Sequence, residues 1–289
     1  MSTDYKRKIE EVITLYKLEP EICDLWVEGP SDSYFYGHFM SRMGSKICII
    51  KGLETLDCST YFEAYPTLNS NREKGIFFSN LLNQQIKNDL RVRIIVDKDL
   101  ESLVNRDPPS KFTLYTDFSS IEMYLFNEVV FSKIFEIGLN GFPIRPSETI
   151  RAFENILVDF FVFRCARFLL DNSAILVSLE TNVVIEKHGL IKFDFNDYLS
   201  KFLNRNNLLF KREIYLEKIN ELKKNINQDL RNYMHGHDFV NLFFKYVNRI
   251  KNNDNFKIDN FSKALFLAVE LAELRKYNLF NNLEKVYKN

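Results

Sequence analysis

The 289-residue chain has no excess of either charge: 39 Lys and Arg balance 39 Asp and Glu. That balance excludes a globally basic nucleic-acid coat, so any nucleic-acid contact has to come from a local patch on a neutral background. Cysteine is scarce. The four residues Cys23, Cys48, Cys58 and Cys165 form no CxxC pair, which excludes a zinc ribbon and reads as free thiols of a reducing cytoplasm. Long hydrophobic runs are missing too. The most apolar stretch, Ile156 to Phe163, contains Asp159 and runs into Arg164, far short of the roughly 20 apolar residues a bilayer requires. The opening MSTDYKRKIEEV carries acids early and no apolar segment, unlike a secretory signal. No GxxxxGK[ST] run occurs, so ATP hydrolysis would have to come from a partner. Low-complexity tracts and internal repeats are absent. Together these features predict a soluble, cytoplasmic protein with no membrane association.

Aromatic residues are abundant, with 27 Phe and 14 Tyr in a chain that is 46% apolar. Such a chain folds, and its length suits one large domain or two modest ones. Ile9, Val12, Ile13 and Tyr16 stand at helical spacing within residues 3–17, with Ser2 or Thr3 as cap. A strand over Cys23–Val27 ends at Glu28-Gly29-Pro30, after which Ser31 is positioned to cap a helix through Tyr34, Phe35, Phe39 and Met40. Further strands are predicted at Lys46–Ile50, Val92–Val96 and Phe112–Tyr115, with a helix over 74–88 and another starting at Ser119 or Ser120. Strands alternating with helices predict an α/β fold with a mainly parallel sheet. Beyond about residue 126 helical periods dominate, at 148–171, 195–204, 211–226, 237–250 and 261–279, with one β-interruption over Asn182–Phe195. This divides the chain into an α/β catalytic domain over 1–127 and a mostly helical region over 128–289, suited to dimerisation, partner docking or substrate binding.

In open α/β sheets ligands gather at the carboxyl ends of the strands, and acids stand at these ends here. Glu28 follows the first strand, and Asp97 and Asp99 close the third in Ile94-Ile95-Val96-Asp97-Lys98-Asp99. In an extended segment residues i and i+2 share a side, so the two Asp carboxylates can converge on one ion. Mg²⁺ takes oxygen ligands, one or two of them carboxylates, and keeps waters and phosphate oxygens. A Glu and a DxD from two strand ends therefore suit metal-assisted phosphodiester chemistry, with Mg²⁺ or Mn²⁺. Asp32, one helical turn after Glu28, and Glu122 are auxiliary acids that a second ion would need. Each has a plain structural reading as well: Asp32 as a partner of the helix dipole, Glu122 as a solvated or ion-paired acid.

These segments resemble the Toprim domain. Leu25-Trp26-Val27-Glu28-Gly29-Pro30-Ser31-Asp32 is similar to its first motif and Ile94 to Asp99 to its DxD motif. Thr116 to Glu122 is similar to the third acidic segment of the OLD-like Toprim nucleases. Chain size and the helical second half most resemble the Toprim effector subunits of PARIS anti-phage systems. The resemblance spans roughly residues 22–127; beyond it, only Gly236-His237-Asp238 is similar. It implies a metal-dependent nuclease in which Glu28 acts as general acid/base or metal ligand and Asp97 and Asp99 as Mg²⁺ ligands. It further implies restraint by an AriA-like ABC-type ATPase sensor subunit, release on sensing a phage protein, and cleavage of host tRNA by a homodimer. A Toprim DNA nuclease, or a non-catalytic adaptor of the ATPase, are the rival readings. The zinc motif and large nucleophile-bearing domain of other Toprim enzymes are absent.

Some side chains stay open between two roles. Lys98 either neutralises a scissile phosphate or points away from the site. His237, in His235-Gly236-His237-Asp238, is either a proton shuttle or simply part of the start of a helix. The basic residues Lys211, Arg212, Lys223, Lys224, Arg231, Lys245, Arg249 and Lys251 form either an RNA-facing surface or a solvated helix face. Phe160, Phe161 and Phe163 read as core or subunit interface.

Overall fold

The computed structural model describes residues 6–44, 48–66, 68–104, 110–227, 229–251 and 257–288. The chain forms two compact units that alternate along the sequence rather than meeting at one boundary. The first comprises Met1–Asp97, Asp107–Asp117 and Leu271–Asn289, the second Lys98–Arg106 and Phe118–Glu270.

In the first unit β1 (Arg7–Lys8) leads into α1 (Ile9–Leu18), whose Ile9, Val12, Ile13 and Tyr16 are buried as their spacing requires. The predicted caps Ser2 and Thr3 lie outside the described residues. β2 (Asp24–Val27) is buried at every position, as a central strand covered on both faces must be. α2 (Pro30–Arg42) begins one residue before the predicted cap Ser31. Pro30 is preorganised for a first helical turn, and Asp32 Oδ2 accepts the Gly29 N–H at 3.0 Å, so Gly29 is the cap. β3 (Ile49–Gly52) follows; Lys46 and Ile47 of the predicted strand lie outside the described residues. Next come β4 (Leu56–Asp57), which pairs with β1, and α3 (Asn71–Gln85). α3 starts three residues earlier than predicted because Ser70 Oγ accepts the Glu73 N–H at 3.1 Å. β5 (Val92–Val96) and β6 (Thr113–Tyr115) complete a four-stranded, wholly parallel sheet in the order β3-β2-β5-β6. Its core joins Trp26, Phe78, Leu82, Ile94 and Val96 to the apolar face of α1.

In the second unit no α-helix starts at Ser119 or Ser120. A 3₁₀ turn over Ile121–Leu125 occupies that place, and α4 (Glu128–Lys133) begins only where Asn127 accepts the Val130 N–H. A π-turn over Ile134–Gly138 leads towards α5 (Pro146–Leu170). The predicted β-interruption is an antiparallel hairpin of β7 (Val183–Ile185) and β8 (Ile191–Phe193). α6 (Phe195–Arg205), α7 (Arg212–Lys223), α8 (Gly236–Lys251) and α9 (Ile258–Ala268) follow. Phe160, Phe161 and Phe163 are buried in this unit's core. Phe163 meets Tyr198 and Phe202 edge-on, at 5.2 and 4.9 Å between centroids.

The helix predicted over 261–279 is broken. After α9 the chain re-enters the first unit with α10 (Leu271–Leu274) and α11 (Asn278–Tyr287). Asp117 makes the last break specific: its carboxylate accepts the N–H groups of Asn278 at 2.9 Å and Leu279 at 3.2 Å. Phe280 of α11 then packs on Phe35, Tyr36 and Phe39 of α2. Among the described residues no helix is long and apolar enough to cross a membrane. All four cysteines are free, and burial pushes the thiols of Cys58 and Cys165 up to about 11 and about 12.

Candidate functional site

The strand order places the crossover of the parallel sheet between β2 and β5, because β2 is followed by β3 on one side and β5 is followed by β6 on the other. Such a switch point opens a crevice beyond the carboxyl ends of the two strands. Glu28 is the first residue after β2 and Asp97 the first after β5. Their junction is closed by a direct bond: Glu28 Oε1 accepts the Asp97 N–H at 2.8 Å. Both carbonyls are held from the start of α3, where Asn71 Nδ2 donates to Glu28 C=O at 2.7 Å and Arg72 Nε to Asp97 C=O at 2.8 Å. Asn71 and Arg72 escaped the sequence reading, although the Ser70 cap with Glu73 three residues on marks the helix start that delivers them.

Asp32 and Asp117 join these acids in the first unit, each with a capping role, at Gly29 and at the start of α11. The sequence reading also missed Tyr36 of α2, a side chain that feels the charge of all four acids. It is 1% exposed, and its hydroxyl has no hydrogen-bond partner among the described residues. Burial first, then the negative charges of Asp97, Asp32, Asp117 and Glu28, hold this phenol well above its ordinary range, so it stays a neutral O–H donor.

The DxD is not extended throughout. β5 ends at Val96, and Asp99 adopts left-handed backbone with φ 49°, a conformation Asp tolerates better than most residues. The alternation that would put both Asp side chains on one side therefore does not reach Asp99, whose N–H is tied to Ser119 C=O at 2.7 Å in the second unit. Lys98 and Asp99 are half-buried.

The second unit assembles its own polar cluster. Ser119 Oγ donates to Arg231 C=O at 3.2 Å and to Met234 C=O, which fixes the chain entering α8. Glu122 rests against the first turn of that helix: a Cβ on Gly236 would lie 2.1 Å from its Oε2 and 2.3 Å from Ser120 Oγ. Glycine at 236 thus lets a carboxylate approach a helix N-terminus closely. His237 is exposed, with Nδ1 4.0 Å from Glu122 Oε1. Asp238, at the helix start, binds Arg164 through both oxygens at 2.7 Å. Burial first, then the charges of Arg164 and His237, hold His235 well below the usual imidazole range. Burial raises Asp238 against the lowering effect of Arg164.

The basic residues considered for RNA contact are largely engaged within the chain. Lys211 pairs with Asp171, Lys223 with Asp159 and Arg231 with Asp229, while Lys245, Arg249 and Lys251 donate to backbone carbonyls. Arg212 donates to Ser200 Oγ at 2.8 Å.

Among the described residues no three or more of His, Cys, Asp and Glu are grouped to hold a metal ion by themselves. Mg²⁺ requires less, since one or two carboxylates suffice when water and substrate oxygens complete its shell. Glu28 and Asp97 fit it in donor chemistry and in place. No family model matches this sequence, and none of the curated proteins matches it.

Proposed function

We propose that this chain is a Mg²⁺-dependent endonuclease of the Toprim type, acting on host tRNA as the effector of an anti-phage defence system. The observation that carries this reading is the meeting of Glu28 and Asp97 at the sheet's switch point, with the Asp97 N–H bound to the Glu28 carboxylate at 2.8 Å. Acids in that position are what phosphodiester chemistry with a divalent ion needs. The choice of tRNA, and restraint by an AriA-like ABC-type ATPase until a phage protein is sensed, rest on the resemblance of Leu25 to Asp32, Ile94 to Asp99 and Thr116 to Glu122 to the PARIS effectors. So does action as a cytoplasmic homodimer.

In this reading Glu28 and Asp97 would hold the ion; a ligand role for Asp99 rests on the resemblance of the DxD alone. A bound Mg²⁺, or Mn²⁺ in its place, would supply polarisation of the scissile phosphate and offset the charge that develops on it. Glu28 takes the proton of the attacking water, and the Asp97 N–H orients the carboxylate for that transfer. Asn71 and Arg72 fix the two strand ends from α3. Asp32 steadies the Gly29 turn through its cap. Lys98, inside the DxD, supplies positive charge for the phosphate. By the same resemblance Glu122 is an auxiliary acid for a second ion, and the exposed His237 a proton shuttle.

The test is made in cells that carry the chain, the ATPase partner and the trigger, with wild type compared to Glu28→Ala and new ends mapped in total RNA and in DNA. Breaks in tRNA that vanish with Glu28→Ala are the expected result. Glu28-dependent breaks confined to DNA contradict the choice of substrate. The absence of any Glu28-dependent break under a verified trigger contradicts the enzyme reading.

A further inference from the structure

A helix sends its side chains back towards its own N-terminus, and residues i and i+4 stack on one face. In α2 this puts Tyr36 on the same face as Asp32, whose carboxylate caps Gly29. The ring is fixed there: Phe280 stacks on it at 6.1 Å between centroids, and Phe35 meets it edge-on at 5.4 Å. A buried hydroxyl normally finds a partner, because an unmet donor costs free energy on the order of 1–3 kcal/mol. Tyr36 Oη has none among the described residues, although it stands within electrostatic reach of Asp97, Asp32, Asp117 and Glu28. Phenylalanine would fill the same space without that cost, so packing alone does not account for tyrosine at this position.

On the reading of Glu28 and Asp97 as the ion's ligands, we infer that Tyr36 is a positioning residue of the site: its hydroxyl donates a hydrogen bond to one of the neighbouring carboxylates in the metal-bound protein. The hydroxyl touches neither substrate nor the reacting atoms. It acts through the acids, as outer partners of metal ligands do, where loss of one such hydrogen bond weakens metal affinity by about 10–100-fold.

The experiment titrates Mn²⁺ alone into the full-length chain, by calorimetry and by loss of the free-ion electron paramagnetic signal, and records thermal stability without metal. Wild type, Asp97→Asn, Tyr36→Phe and Phe280→Leu are compared. Wild type is expected to bind Mn²⁺, and Asp97→Asn to lose that binding. Tyr36→Phe is expected to bind about tenfold more weakly, while its metal-free melting temperature equals or exceeds that of wild type because a partnerless buried hydroxyl is gone. Phe280→Leu loosens the ring and lowers stability but keeps the hydroxyl and the affinity. Wild-type affinity in Tyr36→Phe overturns the inference and leaves the site reading in place. Equal weakening by Phe280→Leu also overturns it, since packing would then be the cause. Absence of Asp97-dependent binding in wild type overturns the site reading and the inference together.

Discussion

Asp24 concentrates its polar contacts on one carboxylate oxygen. Its carboxylate is fully buried at the start of β2, where Oδ2 accepts from Tyr16 at 2.6 Å and from Lys51 at 2.5 Å. Trp26 Nε1 supports the phenol at 2.8 Å, and Tyr287 of α11 donates to Asp24 C=O at 2.8 Å. Removing one partner of a buried pair leaves the other charge unpaired, which costs more than removing both. Lys51→Met is therefore expected to destabilise the protein by about 3 kcal/mol. The double replacement Asp24→Leu with Lys51→Met should recover much of that loss, and urea unfolding of the three proteins measures both. Asp24 Oδ1 and the Tyr36 hydroxyl, by contrast, are buried polar atoms that no described residue satisfies. Neither feature is legible in the sequence, because Asp24 and Tyr36 gain their meaning from residues far along the chain.

At the scale of elements, the close approach of α3 to the sheet depends on Gly75. A Cβ there would lie 2.8 Å from Leu53 Cδ1 and 2.9 Å from Val96 Cγ1, so both neighbours would have to give. Gly75→Val is expected to cost about 1–3 kcal/mol through overpacking, read as a lower denaturant midpoint. It should also disturb the site, since α3 delivers Asn71 and Arg72 to the strand ends. The strands carrying Glu28 and Asp97 were readable because short apolar runs ending in acids are local patterns, and the structure has them at Asp24–Val27 and Val92–Val96. Boundaries set by distant groups were not. The break before α11 depends on Asp117, which is 161 residues away from Asn278 in sequence, and helical periodicity over 261–279 contains no trace of it. The left-handed turn at Asp99 was equally hidden, since an Asp in a DxD reads the same whether or not the strand continues.

The whole molecule carries a pH signature through His235. Its folded-state pKa is depressed by burial and by Arg164 and His237, so the folded protein binds fewer protons there than the unfolded chain. Its contribution to stability is complete above the unfolded value of about 6.5 and is lost as pH falls towards the folded value. Asp238, also facing His235, is raised by burial, so the folded state takes up its proton more readily and this acid works against the His235 effect as pH falls. The urea midpoint should drop between about pH 7 and pH 5, and His235→Asn, which cannot take up a proton, should flatten that drop. An unchanged pH dependence in His235→Asn would remove His235 as its source.

The central claim is that Glu28 and Asp97 form one divalent-cation site at the switch point of the sheet. Anomalous diffraction from crystals of the full chain soaked in Mn²⁺ tests it most directly. The account predicts a peak beyond the carboxyl ends of β2 and β5, bonded to carboxylate oxygens of both residues and absent from crystals of Asp97→Asn. No peak there, or a peak bound only by other residues, would contradict it.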